Sequence, residues 1–155
     1  MVEYEVVIAG YDDTCIRACC GDESIMFGCD NFTVEELACP LTKRAKVEEH
    51  FIYMLQDLRD EVGHPMIVNS CCRSTQHNIN VGGHPRSLHL MDNPAHPTKG
   101  TIAIDISTLG WAISKRDRFM MMAYTAGFCV GVGSTFIHLD ARGLIDLPQT
   151  NWRYE

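Results

Sequence analysis

The sequence predicts a single-domain α+β fold, a small antiparallel sheet with helices packed on it. Three observations carry that expectation. Glu3 to Ala9 reads EYEVVIA, alternating at Tyr4, Val6 and Ile8, which is the pattern of a half-buried strand. Lys43 to Val62 carries apolar residues at Val47, Phe51, Met54, Leu55, Leu58 and Val62, spaced by three and four as in an amphipathic helix. Strand-like and helix-like segments then follow one another without the regular alternation of a parallel α/β sheet.

Taken in order, Gly10 closes the first strand, and residues 11 to 30 are polar and cysteine-rich, with a hairpin return expected around Ser24 to Phe27. Thr33-Val-Glu-Glu36 is a capping-box pattern that starts a short helix ending before Pro40. Gly63 is placed to end the long helix. Met66 to Val68 reads as a short buried strand after Pro65, and Thr101 to Ile106 as another, alternating at Ile102, Ile104 and Ile106. Ser114 is expected to cap a helix running to Ala126, with Phe119-Met-Met-Met122 in the core and Gly127 as its stop. Cys129 to Leu139 reads as one or two strands broken at Gly131 and Gly133.

With 155 residues, 46% of them hydrophobic and 21% charged, the chain can bury a core of its own and is not compositionally disordered. The net charge of -7 advertises no basic face for nucleic acid. No apolar run is long enough to span a bilayer, and Met1-Val-Glu-Tyr-Glu5 lacks the build of a secretory signal. The expectation is a chain made in the cytoplasm with reduced thiols. Eight cysteines (Cys15, Cys19, Cys20, Cys29, Cys39, Cys71, Cys72 and Cys129) form no CxxC pair. Buried free thiols are the commonest reading, ahead of disulfides formed after release and of a second metal site near Cys15 to Cys29.

The chemistry-bearing residues concentrate between Val68 and Asp105 and again in Phe136-Ile-His-Leu-Asp140. Together they offer His89, Asp105 and His138, two imidazoles and a carboxylate, which is a ligand set for a catalytic metal. Spacing alone does not decide the matter. A histidine in an apolar strand is more often a satisfied core residue, a strand-ending aspartate is usually solvated, and His77, His84 and His96 are alternatives. Gly82-Gly83 reads as a turn requiring positive φ, since no strand-to-helix glycine pattern surrounds it. Cys72 beside Arg73 has no cysteine-protease signature, and Trp111 and Trp152 read as packing residues.

The order S-x-x-R-x-x-x-x-N-x-x-x-G-G-x-x-x-S-x-H, then A-x-D, then F-I-H-x-D resembles the zinc D-alanyl-D-alanine carboxypeptidase family, and within it the branch found in bacteriophages. Ser70, Arg73, Asn78, Gly82, Gly83, Ser87 and His89 carry the first motif. Asn31 to Cys39 resembles the family's entry segment, Leu55-x-x-Leu-Arg59 matches the helix that follows, and Trp152-Arg153 echoes a closing element. The resemblance spans about residues 30 to 155, dividing the chain into an N-terminal extension over 1–28, a strand plus the Cys-rich segment, and a zinc peptidase-like domain over 29–155.

The resemblance implies a hedgehog/DD-peptidase-like fold with zinc held by His89, Asp105 and His138. It places Arg73 against a substrate carboxylate or the oxyanion, Ser87 as a brace for the His89 turn or the carboxylate, and Asn78 with them on the substrate side. The implied substrate is a peptidoglycan stem peptide, cut at D-Ala-D-Ala or at an internal bond such as L-Ala-D-Glu. The phage-like branch suggests an endolysin or a virion-associated wall hydrolase, with virion proteins as further partners and neither nucleic acid nor membrane among them. Two departures stand out. Met91 to Lys99 lengthens the gap between the first histidine and the aspartate, as a loop or flap containing His96. Gly133, Ser134 and Thr135 stand where other branches place a general base, leaving Asp140 either as the base or as the residue that orients His138. A structural protein of a virion with the chemistry weakened or lost, or a wall-binding module that keeps zinc without turnover, is the rival expectation.

Overall fold

A computed structural model of the chain describes residues 3–9, 15–19, 25–26, 29–96 and 99–155. Strand β1 (Glu3–Ala9) forms as its alternation predicts. It pairs antiparallel with β2 (Cys15–Cys19) and parallel with β5 (Arg44–Glu48), giving a sheet of order β2-β1-β5. The expected hairpin is present in its described part, where β3 (Ile25–Met26) pairs antiparallel with β4 (Cys29–Thr33); Ser24 and Phe27 lie outside the described residues. The side chains of Cys15, Cys19, Cys20 and Cys29 also lie outside them, while Cys39, Cys71, Cys72 and Cys129 are buried and form no disulfide.

Helix α1 (Val34–Leu37) opens with the capping box in place: Thr33 Oγ1 accepts from Glu36 N, and the Glu36 carboxylate accepts from Thr33 N at 2.9 Å. The long amphipathic helix is shorter than its periodicity suggests. Residues 44–48 form β5 instead, and α2 (Glu49–Val62) begins only after it. Val47 fits both periods, but the buried alternation of Ala45 and Val47, satisfied by pairing with β1, decides for a strand. Glu48 then caps α2 by accepting from Phe51 N at 2.8 Å, and Gly63 closes it at φ 71°.

The second sheet carries the site. It comprises β6 (Val68–Ser70), β7 (Ala103–Ser107), β8 (Cys129–Val132), β9 (Phe136–Asp140) and β10 (Asn151–Arg153), in the order β10-β8-β9-β7-β6. It is antiparallel except at one edge, where β10 runs parallel to β8. The short helix α3 (Thr75–Asn80) follows β6, capped by Ser74, and was not signalled by hydrophobic period. Helix α4 (Ile113–Thr125) starts one residue before Ser114, and no side chain caps it.

One face of this sheet, through Ile104, Ile106, Val130, Ile137 and Leu139, packs into the same core as Phe51, Leu55, Leu58, Phe119 and Phe128. Tyr4, Val6 and Ile8 of β1 join that core. Of the methionine run, Phe119 is buried and Met121 is exposed, so only part of it is core. Phe51 is 0% exposed and meets Phe128 edge to face, at 6.2 Å between ring centroids. Phe51→Ala is expected to lower unfolding stability by about 3–5 kcal/mol, read as a lower denaturant midpoint at unchanged slope.

Candidate metal centre

Strand register builds the site. Across the second sheet, Ser70 pairs with Asp105, Asp105 with His138, His138 with Gly131, and Gly131 with Trp152. Residues opposite one another in a sheet share a face, so Asp105 and His138 lie side by side, away from the apolar core. His89 reaches them from the loop beyond α3. Its backbone is bolted to Arg73: Arg73 N donates to His89 O at 2.8 Å, and Met91 N to Arg73 O at 3.1 Å. Thr101 Oγ1 donates to the same His89 carbonyl at 3.0 Å.

The three side chains converge. His138 Nδ1 lies 2.8 Å from Asp105 Oδ1, and His89 Nε2 lies 3.3 Å from that oxygen and 3.2 Å from His138 Nδ1. One donor atom from each residue fits within 4.8 Å of the others, and no other such group occurs among the described residues. His96 is not part of it.

The far nitrogens show which atoms are available. His89 Nδ1 donates to Cys71 O at 2.7 Å, a bond that requires the proton on Nδ1 and turns the Nε2 lone pair inward. His138 has the opposite arrangement: Nε2 donates to Asp140 Oδ2 at 3.0 Å, leaving Nδ1 to face the group. Two imidazole nitrogens and a carboxylate oxygen, each fixed from behind, fit a zinc-type divalent cation with a coordination position left open.

The surrounding charges keep the donors ready. Burial alone would raise the Asp105 pKa, but the His138 and His89 imidazoles against it hold that carboxyl well below the usual carboxylate range. Arg73 adds a bond to Asp105 Oδ2 at 2.9 Å and is itself held by Ser70 Oγ at 2.9 Å from Nε. Burial depresses His89, against the pull of Asp105. It acts likewise on His138, where the bonds to Asp105 and Asp140 outweigh it and raise the pKa. The two imidazoles thus move in opposite directions. Asp140, buried but bonded by Arg142 and His138, is held at about 2. Arg142 reaches it twice, at 2.9 Å from Nε and 2.7 Å from Nη2.

The other sequence candidates take the following positions around this set. Ser87 Oγ accepts from His89 N at 3.3 Å, which braces the turn as the Ser-x-His pattern suggests. Asn78 is buried beneath the glycine turn: its Nδ2 donates to His84 O at 3.0 Å and its backbone carbonyl accepts from Gly83 N at 2.8 Å. Gly82 has φ 68°, so the expected positive φ is needed there alone, while a Cβ on Gly83 would collide with the buried Asn78 side chain. The loop after His89 is tied down, with Asp92 bonded to Lys46 Nζ at 2.6 Å and Asn93 Nδ2 to Ser87 O at 2.9 Å. Gly133, Ser134 and Thr135 form the turn between β8 and β9, where Arg116 bonds the carbonyls of Gly133 and Ser134. Asp140 lies behind His138, on the nitrogen that faces away from Asp105. Sequence reading passed over Arg142; its signal was the Asp-x-Arg spacing that follows the last histidine.

Among the described residues, no helix is long and apolar enough to cross a membrane. A family model described as Peptidase M15 matches residues 30–140, a stretch that holds all three convergent side chains. No curated protein matches the chain.

Proposed function

The chain belongs to the peptidase M15 family, and from that premise we propose that it is a zinc peptidase of peptidoglycan stem peptides, cutting D-Ala-D-Ala or an internal bond such as L-Ala-D-Glu. The observation that carries this reading is the convergence of His89, Asp105 and His138 within 4.8 Å. Zinc bound there would polarise a scissile carbonyl and bring the pKa of a water near neutrality.

The protein's own residues supply position and charge. Cys71 O and Asp140 hold the two imidazoles in the tautomers that leave His89 Nε2 and His138 Nδ1 as donors. Arg73, anchored through Ser70 and Asp105, offers a planar cation beside the donor group, suited to a substrate carboxylate or to charge developing on the carbonyl oxygen. Ser87 fixes the backbone of the His89 turn. Asp140 acts as the orienting carboxylate of His138, the second of its two expected roles.

One observation favours a second reading, a wall-binding or virion protein that keeps the metal with weak catalysis. Both carboxylates that touch His138 are engaged by arginines, Asp105 by Arg73 and Asp140 by Arg142. Metal analysis and product release from purified peptidoglycan separate the two readings. About one zinc per chain, as three protein ligands would hold, with release of stem-peptide products supports the peptidase. Zinc without turnover supports the binder. No zinc after incubation with excess metal would overturn both.

A further inference from the structure

Behind His138, four side chains close on one another. His138 Nε2 bonds Asp140 at 3.0 Å, and Asp140 takes both arms of Arg142. The Arg142 guanidinium lies over the Trp152 ring, 4.9 Å from its centroid, and that indole returns to His138 at 5.4 Å between centroids and an interplanar angle of 51°. The indole gets there because of a glycine. Trp152 pairs with Gly131, which pairs with His138, and a Cβ on Gly131 would lie 2.6–2.8 Å from indole atoms. No side chain can stand at 131 with Trp152 where it is.

We propose that Trp152 is a positioning residue for the metal ligand His138, acting through this closed ring of His138, Asp140, Arg142 and Trp152 and admitted by Gly131. The proposal rests on the metal-centre reading above. Asp140 and Asp105 hold the two ring nitrogens of His138, with Tyr154 edge-on at 6.4 Å between centroids, and leave the imidazole free to swing about the line through those nitrogens. The indole blocks that swing from the side, and its face holds the Arg142 cation where it grips Asp140. Last-strand residue Trp152 therefore tunes metal affinity without touching the metal. His89 is held independently, by Cys71 O on another segment.

That independence gives the test an internal control. The full chain and its Trp152→Ala and Trp152→Phe variants are titrated with cobalt(II) against a competing chelator, and the paramagnetically shifted imidazole N–H signals of the loaded proteins are recorded. Trp152→Ala is expected to bind cobalt roughly tenfold more weakly and to lose the His138 Nε2–H signal to solvent exchange, while the His89 Nδ1–H signal persists. Trp152→Phe, which keeps an aromatic face for Arg142, is expected to recover most of the affinity. Unchanged affinity with both signals retained in Trp152→Ala overturns the proposal, as does loss of both signals together, which marks general unfolding. Gly131→Ala is the second variant: it displaces the indole with Trp152 still present, and wild-type affinity in it also overturns the proposal. Wild-type protein that takes up no cobalt removes the metal centre itself and the ring's role with it.

Discussion

His138→Ala is expected to abolish stoichiometric zinc binding and to take any peptidase turnover with it. The residue contributes more than one of three donors. Its Nδ1 is the atom closest to Asp105 Oδ1, at 2.8 Å, and its removal leaves two donors facing an enlarged space. It also takes one partner from each of two carboxylates. Asp105 keeps Arg73 and Asp140 keeps Arg142, so the variant should fold, but each loses its imidazole partner. Metal content measured after dialysis checks the expectation; a tightly held zinc in His138→Ala would overturn the ligand assignment. His96→Ala serves as the companion and should keep its metal, since His96 is outside the convergent group.

The same residue sets the pH dependence of loading. In the metal-free protein the His138 pKa is raised, because bonds to Asp105 and Asp140 outweigh its burial. A raised histidine contributes stability that is present below the ordinary histidine pKa and is lost as pH rises through the raised value. For metal the sign is opposite: the proton on Nδ1 must leave, so below the raised pKa affinity is expected to fall by roughly tenfold per pH unit. Above it, the loss should level off. Zinc competition assays across that range read the profile directly.

Most of what the sequence made legible was periodic or punctuated. The alternation in EYEVVIA, the capping box at Thr33, the stop at Gly63 and the break at Gly133 between β8 and β9 all correspond to local rules that tertiary structure left intact, whereas Gly131, expected to break the strand, lies inside β8 and pairs on both sides. The errors arose where a non-local pairing chose between two local options. Residues 44–48 suit a helix by spacing, yet β1 lies alongside and pairs with them. Residues 151–153 are too short to announce a strand, but β8 offers a free edge and β10 takes it in parallel. The three convergent side chains were legible through an ordered motif series, since spacing alone left His96 and others open. What surrounds them was not legible. Trp152 reads as a packing residue until the register places it one strand beyond Gly131, in the row of Asp105 and His138.

Asp140→Asn carries the second large effect and decides between the two roles open to this residue. A general base must present a free carboxylate oxygen to the proton it takes, within hydrogen-bond reach. Asp140 presents neither oxygen: Oδ2 bonds His138 Nε2 at 3.0 Å and Arg142 Nη2 at 2.7 Å, and Oδ1 accepts from Arg142 Nε at 2.9 Å and Arg142 N at 3.2 Å. Its pKa of about 2 makes it a poor proton acceptor at neutral pH. Asparagine is nearly isosteric but neutral. It can still accept one of these bonds through Oδ1, while its amide protons oppose those of Arg142, and His138 loses the charge that sharpens its donor nitrogen. Metal affinity is therefore expected to fall roughly 10–100-fold, with turnover at limiting zinc falling in parallel and recovering in excess zinc. A base would behave otherwise, since its loss leaves affinity near wild type and turnover low however much zinc is supplied. Turnover measured across a zinc titration separates the two, and failure of excess zinc to restore activity would return Asp140 to the chemistry.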